Sequence, residues 1–188
     1  MLQDSSISHG VQERIAYNSL PGAMTKDLWA RVYLQQPNEL AAIPTSPHVW
    51  VSDGDEALVY SLGDNYFCCT ANYNQGWPRH IQHMLHMSPD GGIAISKLGP
   101  VSASIPALGG LTVNVSGDFP FDDDVTIVLH GLPAGPVSMP VYVRIPAWAT
   151  AATLSINGAA PVSVGRYNGT MLRVPLQGLL GMARVNPI

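Results

Sequence analysis

The stretch that decides the fold runs from Leu111 to His130 and reads LTVNVSGDFPFDDDVTIVLH. At each end of it, apolar residues occupy every second position over six residues, which is the period of a β-strand with one buried face. The segment between the two runs is rich in Gly, Pro and Asp, the residues that favour turns. The pattern therefore predicts two neighbouring strands.

Further runs of the same kind lie on both sides of this stretch, separated by Gly, Pro and Asp clusters. Strands are predicted at 93–98, 101–105, 111–116, 125–130, 141–145, 153–156, 162–164 and 171–174. Short strands at this spacing are typical of an antiparallel β-sandwich. Residues 176–188 show no clear alternation, so we predict no strand there and expect the last strands of the sandwich to be absent.

The first 90 residues follow a different pattern. Apolar residues at helical spacing predict a helix over 9–24, and Pro78 is suited to begin a second helix that ends near Met87. Between them the chain reads as irregular, with a short strand predicted at 31–34. The fold class is thus α+β, mainly β, with a helical and irregular part at 1–90 and a β-sandwich domain at 91–188.

Composition excludes several classes of protein. The 188 residues are 46% hydrophobic and 12% charged, with a net charge of −4. This argues against a nucleic-acid binder, which normally carries a basic surface, and no apolar run approaches the ~20 residues of a membrane span. All the acidic residues lie at or before Asp124. The charge-poor C-terminal part therefore suggests self-association or a protein partner.

The adjacent cysteines Cys68 and Cys69 are the first candidates for chemistry. Thiolates bind zinc and are good nucleophiles, whereas free cysteines are also often simply buried. Neighbouring cysteines rarely form a disulfide, because the geometry is strained. From the residues alone, a metal site, a nucleophile, a redox-active dithiol and plain burial all stay open.

Other candidate residues carry weaker signals. The His80, His83 and His86 run is spaced i, i+3, which fits a polar helix face better than a metal site. The acidic residues 122–124 lack calcium-loop spacing and predict a solvated turn. Two glycosylation sequons begin at Asn114 and Asn168. The aromatic residues to consider for carbohydrate stacking are Trp50, Trp77, Trp148 and Tyr167.

Several strings together carry a family resemblance. They are ERIAYNSLP at 13–21, QQPN at 35–38, FCCTAN at 67–72 followed by QGWP at 75–78, DGGIA at 90–94, VRIPAW at 143–148 and LSING at 154–158. In this order and spacing they resemble the fungal-type proteins of glycoside hydrolase family 127, the β-L-arabinofuranosidase-like enzymes. The resemblance covers roughly residues 11–175, and the Cys-Cys-x-x-Asn and Arg-Ile-Pro-x-Trp elements are its most specific parts.

The resemblance implies a fold, an activity and a site. Residues 1–90 would be the remnant of an (α/α)6 barrel, followed by the sandwich. The reaction would be the retaining hydrolysis of an arabinofuranoside-type glycan, with zinc as cofactor. By the family's motif, Cys68 would be the catalytic nucleophile and a zinc ligand, and Cys69 a second zinc ligand. Family members are often secreted, but residues 1–6 have no signal-peptide character, so no compartment is assigned.

The sequence also departs from the family's pattern. It contains no Glu-x-Cys motif, which supplies half the zinc ligands in the family, and no counterpart of the acid/base glutamate. We therefore expect an incomplete, C-terminal piece of such an enzyme that is inactive on its own, with its missing domain as a candidate partner. The alternative is a non-enzymatic β-sandwich module that binds carbohydrate or a protein partner.

Overall fold

The computed structural model describes residues 6–47, 50, 53–62, 66–132, 139–174 and 182–186. The helices are α1 (Ser6–Arg14), α2 (Leu20–Gly22), α3 (Phe67–Tyr73) and α4 (Gly76–Gln82), with a π-helical turn at Ile15–Ser19. Short 3-10 turns lie at Asp55–Leu58, Pro106–Leu108 and Gly165–Tyr167. The strands are β1 (Leu85–Met87), β2 (Ile93–Ile95), β3 (Val101–Ile105), β4 (Leu111–Ser116), β5 (Val125–His130), β6 (Val141–Arg144), β7 (Thr153–Ile156), β8 (Val162–Ser163), β9 (Met171–Val174) and β10 (Met182–Asn186).

The chain divides into two compact units. The first, called the β unit here, comprises Met1–Gln12 and Ile81–Ile188, and the second, the α unit, comprises Glu13–His80. The mixed α and β composition that the sequence predicts is confirmed. The sandwich and the barrel remnant stay predictions, as does the division of the chain at residue 90.

The β unit contains two sheets. One has the strand order β1-β2-β6-β9, and the other has the order β3-β4-β5-β10-β7-β8. In the first sheet β2 and β6 run parallel, with Ile93 opposite Val141 and Ile95 opposite Val143. The purely antiparallel arrangement predicted from the sequence is therefore wrong for this pair. A parallel pair requires a long crossover, which here includes β3, β4 and β5.

Alternating burial in β4 and β5 explains why these strands form. Leu111, Val113 and Val115 are at most 1% exposed, and Val125 and Ile127 are at most 2% exposed. Each such side chain contributes about 1.5–3 kcal/mol of burial free energy. The two strands have the bounds that the sequence predicts. They pair antiparallel, from Thr112 opposite His130 to Ser116 opposite Thr126.

Two strands of the β unit differ from the sequence prediction. Strand β10 lies inside the six-stranded sheet, paired with both β5 and β7, where no strand was expected. Strand β1 occupies the end of the predicted 78–87 helix, which instead ends at Gln82. Leu85 pairs with Ile95 across the sheet, and this tertiary pairing overrides the local helical pattern.

The α unit is built around small buried side chains. Ala16, Ala23, Val32, Ala57 and Leu58 are at most 4% exposed. Several large apolar side chains of this unit are exposed instead, among them Leu28, Trp29, Leu40, Leu62 and Phe67. The helix predicted at 9–24 is present over 6–22, with a π-helical turn at Ile15–Ser19. The strand predicted at 31–34 is reduced to isolated bridges at Arg31.

Within the described part of the chain, the helices are too short or too polar to span a membrane.

Candidate functional site

The cysteine pair lies in the first turn of α3. Tyr66 precedes the helix, and its carbonyl accepts 3.0 Å hydrogen bonds from the backbone N–H groups of both Cys69 and Thr70. Asn72 Nδ2 donates a 2.6 Å bond to the carbonyl of Cys68. These bonds fix the backbone on both sides of the pair, so the two side chains start from a defined geometry.

Both cysteines are free thiols. Their sulfur atoms are 3.4 Å apart, well beyond the ~2.05 Å of a disulfide. Cys68 is exposed and Cys69 is half-buried. An exposed thiol beside a second sulfur can act as a nucleophile, and the two together can bind a thiophilic ligand.

Two residues of segment 31–33 contact this turn. Arg31 Nη2 donates a 2.9 Å hydrogen bond to Thr70 Oγ1, and the Tyr33 hydroxyl is hydrogen-bonded to the Cys69 thiol. The Tyr33 ring stacks on Tyr66, with the centroids 3.7 Å apart and the planes 3° from parallel. The cysteine pair can be identified from the sequence because two adjacent thiols are chemically reactive. No local pattern points to Arg31 or Tyr33, which lie more than thirty residues before the pair.

The neighbours of the pair set its electrostatics. The contact with the Cys68 thiol is the main reason that the pKa of Cys69 is raised, and desolvation adds to it, whereas the Tyr33 hydrogen bond and the Arg31 charge lower it. A hydrogen bond to Asp53, 2.5 Å long, is the main cause that raises the pKa of Tyr66 to about 12. Tyr66 is therefore a neutral donor at physiological pH, and Asp53 holds its ring beneath Tyr33.

The pair fits two of the ligands that zinc requires. A sulfur ligand lies about 2.3 Å from zinc, so two sulfur atoms 3.4 Å apart can share one ion. Structural zinc sites use four protein ligands and catalytic sites use three. Among the described residues, however, no three His, Cys, Asp or Glu side chains come together as a metal site. The two sulfur atoms would thus correspond to two of the four ligands of a structural zinc site.

The histidine run does not complete this site. His80 is buried in an aromatic cluster of the α unit, edge-on to Tyr17 at 5.4 Å and to Trp77 at 5.8 Å. In the β unit, His86 Nε2 is 3.0 Å from Ser96 Oγ and 3.0 Å from the carbonyl of His83. The polar helix face predicted for this run is therefore wrong, because His80 is buried, α4 ends at Gln82 and His86 lies in β1.

The remaining candidates are spread over the two units. The acidic residues 122–124 lie in a turn, where the Asp124 N–H donates to Asp122 Oδ1 at 3.3 Å. Asn114 lies within β4, whereas Asn168 is exposed and its Nδ2 donates a 3.0 Å bond to the Ala147 carbonyl. That bond joins the loop of Trp148, which is 46% exposed, to the loop of Tyr167. Trp50 and Trp77 belong to the α unit.

A cleft of about 550 Å³ also lies in the α unit. Its walls include Asn18, Gln35, Gln36, Glu39 and Val32. Val32 lines the cleft, whereas its neighbours Arg31 and Tyr33 contact α3. The cleft is therefore lined by residues other than those that contact the cysteine pair.

Comparison with known proteins gives one family and several similar folds. Residues 93–175 match the family described as "Beta-L-arabinofuranosidase, GH127 middle domain". This match covers most of the β unit and excludes the cysteine pair. No curated protein matches the chain.

Solved structures match nearly the whole chain in fold. A glycoside hydrolase is 21% identical to this chain and superposes with a TM-score of 0.74. The match covers 98% of this chain and 29% of the glycoside hydrolase. A GH127 β-L-arabinofuranosidase from Geobacillus stearothermophilus is 15% identical, with a TM-score of 0.65 and coverage of 98% and 28%. A second GH127 β-arabinofuranosidase is 15% identical, with a TM-score of 0.67 and coverage of 98% and 29%.

The chain spans less than a third of the length of these solved relatives. Identities at this level establish a common fold, and activity is a separate question. The fungal-type subgroup and the roles of Cys68 and Cys69 stay predictions. The family matched over 93–175 and the folds matched over 98% of the chain confirm that this chain resembles part of a glycoside hydrolase family 127 protein.

Proposed function

We propose that this chain is the part of a β-L-arabinofuranosidase-like glycoside hydrolase that carries its nucleophile, Cys68. The observation that supports this most is the exposed thiol of Cys68, 3.4 Å from a second sulfur in a hydrogen-bonded helical turn. The family resemblance makes an arabinofuranoside-type glycan the substrate class. Cys68 and Cys69 are assigned as zinc ligands, and zinc, when bound, would keep them as thiolates.

The retaining reaction assigns a definite role to Cys68. Its sulfur would form a bond to the anomeric carbon as the bond from that carbon to the leaving-group oxygen breaks. The leaving oxygen needs a proton, which a carboxylic acid normally supplies in such enzymes. The chain lacks a counterpart of the family's acid/base glutamate, so we propose that it hydrolyses no glycoside on its own.

Zinc binding is the first test. Zinc stoichiometry and affinity are measured by elemental analysis and chelator competition for the wild-type chain, Cys68→Ser, Cys69→Ser and the control His86→Asn. We expect weak zinc binding that is lost in both cysteine variants and kept in the control, because affinity falls with each absent ligand. Zinc binding that both cysteine variants retain would refute the ligand assignment.

Hydrolysis is measured in parallel with a nitrophenyl β-L-arabinofuranoside. The expected result is no release of nitrophenol above background. Release that disappears in Cys68→Ser would support the nucleophile and contradict the inactivity of the chain alone. Release that survives in Cys68→Ser would contradict the assignment of the nucleophile.

A non-enzymatic module is the second candidate, favoured by the exposure of Trp148 on a loop that Asn168 ties to the loop of Tyr167. Sugar rings stack on exposed aromatic faces of this kind. Affinity electrophoresis in gels containing arabinan compares Trp148→Ala with Trp29→Ala, an exposed tryptophan of the α unit. Retardation that only Trp148→Ala abolishes would support a carbohydrate-binding module, and unretarded wild-type chain would exclude arabinan as its ligand.

A further inference from the structure

Arg31 connects segment 31–33 to the turn that carries the cysteine pair. Its Nη2 donates a 2.9 Å hydrogen bond to Thr70 Oγ1, immediately after Cys69. The Thr70 hydroxyl donates in turn to the carbonyl of Tyr66, at 3.3 Å, immediately before the helix. One side-chain relay therefore links the guanidinium to both ends of the turn.

The position of Arg31 is itself fixed by the backbone. Its N–H donates to the Ser61 carbonyl at 3.1 Å, and its own carbonyl accepts from the Ser61 N–H at 3.0 Å. The residue is only 9% exposed, and the guanidinium lies 5.9 Å from the centroid of the Tyr73 ring. Since the side chain is already ordered by the fold, little further entropy is lost when it acts on the turn.

We propose that Arg31 is a positioning residue for the cysteine pair: through Thr70 it holds the turn so that both sulfur atoms reach one ligand. The inference rests on the proposed function only in treating Cys68 and Cys69 as a functional pair. It predicts that loss of Arg31 or of the Thr70 hydroxyl weakens ligands that need both sulfur atoms, and leaves reactions that need one sulfur unchanged.

Phenylarsine oxide is a suitable probe, because it requires two thiols and no further zinc ligand. It forms two arsenic–sulfur bonds, and its oxygen leaves as water with the two thiol protons, without any change of oxidation state. Its affinity for the whole chain is measured by titration. The rate of alkylation by iodoacetamide, which reacts with one thiol at a time, is measured beside it.

Arg31→Gln and Thr70→Val are expected to lower the affinity for phenylarsine oxide about tenfold, equivalent to ~1.4 kcal/mol, while the alkylation rate stays within about twofold. Thr70→Ser keeps the hydroxyl and should restore wild-type affinity. Arg31→Lys keeps the charge but loses the planar fork, so an intermediate affinity is expected. Arg166→Gln, an exposed arginine of the β unit, is the charge-matched control.

Unchanged affinity in both Arg31→Gln and Thr70→Val would overturn the proposal. So would a loss of affinity matched by faster alkylation and by a lower melting temperature, since that would mark Arg31 as a purely structural anchor. A wild-type chain that does not bind the arsenical would overturn it as well. Arsenical binding that depends on Arg31, without zinc binding, would contradict the proposed function and leave this inference standing.

Discussion

The phenol of Tyr142 donates a 2.6 Å hydrogen bond to Asp90 Oδ2 across the β unit. The other carboxylate oxygen, Oδ1, accepts a 2.6 Å bond from Ser88 Oγ. Tyr142 lies on β6, and Asp90 lies in the turn between β1 and β2. The bond therefore ties this turn to the strand that pairs in parallel with β2.

Asp90 and Tyr142 make the stability of the fold depend on pH. The hydrogen bonds from Ser88 and Tyr142 hold the pKa of Asp90 below its ordinary value of 3.8, and the bond to Asp90 holds the pKa of Tyr142 above 10.0. Because the pKa of Asp90 is lower in the folded state, its ionised carboxylate stabilises the fold above pH 3.8. This stabilisation is lost as the pH falls through the pKa of Asp90 in the folded protein. Because the pKa of Tyr142 is higher in the folded state, its neutral phenol stabilises the fold below pH 10.0. This stabilisation is lost as the pH rises through the pKa of Tyr142 in the folded protein.

Tyr142→Phe should therefore have a lower urea midpoint than wild type at pH 7, and the difference should shrink as the pH falls below 4. The measurement is urea unfolding at a series of pH values. Tyr167→Phe, in which a different tyrosine of the same unit loses its hydroxyl, is the matched control. A difference between Tyr142→Phe and wild type that stays constant down to pH 2.5 would contradict the role of Asp90.

Gly92 leaves no room for a side chain. A Cβ there would lie 1.9 Å from the carbonyl oxygen of Pro140, which accepts a 3.0 Å hydrogen bond from the Ile93 N–H. Gly92→Ala must therefore move the backbone where β2 and β6 begin to pair. We expect it to lower the free energy of unfolding by about 1–3 kcal/mol or more, measured by chemical denaturation.

Gly10→Ala is the opposite case. Gly10 lies in α1, and a Cβ there meets no atom within 4 Å. Because alanine has a higher helix propensity than glycine, this substitution should be neutral or stabilise by up to ~1 kcal/mol. Equal destabilisation by both substitutions would contradict the Pro140 contact as the cause of the effect at Gly92.

The sequence predicts most of the strands correctly, but it predicts neither the last strand, β10, nor the residues that surround the cysteine pair. Strands β3, β4, β5, β7 and β9 have the predicted bounds, because each has a local two-residue period between turn residues. Strand β10 has five residues, and its place is set by pairing with β5 and β7, both distant in sequence. Likewise Arg31 reaches Thr70 from 39 residues away, and no local pattern encodes that contact.

The position of β10 between two strands makes its backbone sensitive to proline. Arg184 is opposite Thr126 on one side and Ser155 on the other, so its strand has no free edge. Arg184→Pro removes a backbone donor inside the sheet and should cost about 3 kcal/mol or more. Arg184→Ala keeps the N–H and is the control. Thermal unfolding followed by circular dichroism should separate the two, and equal melting temperatures would contradict this place in the sheet.

His9 should make the protein less stable in mild acid. Burial, followed by the charges of Arg144, Lys97 and His86, lowers its pKa from 6.5. Because the pKa of His9 is lower in the folded state, the fold favours the neutral imidazole ring. The protein therefore keeps its full stability above pH 6.5 and loses part of it as the pH falls below this value. His9→Gln should therefore lose less stability than wild type between pH 7.5 and 5. His130→Gln, an exposed histidine at the end of β5, is the control, and identical slopes for His9→Gln and wild type would exclude the effect.

The two units should differ in local stability. The β unit buries large aliphatic side chains such as Ile93, Ile95 and Leu98, which are fully inaccessible, whereas three of the five most buried apolar residues in the α unit are alanines. Since opening free energy follows the apolar area buried in each unit, amide hydrogens of β4 and β5 should exchange orders of magnitude more slowly than those of segment 28–43. Hydrogen exchange read by mass spectrometry on these two regions tests this expectation, and Ile95→Ala should accelerate exchange in the β unit. Equal protection of the two regions would mean that the chain opens as one cooperative unit.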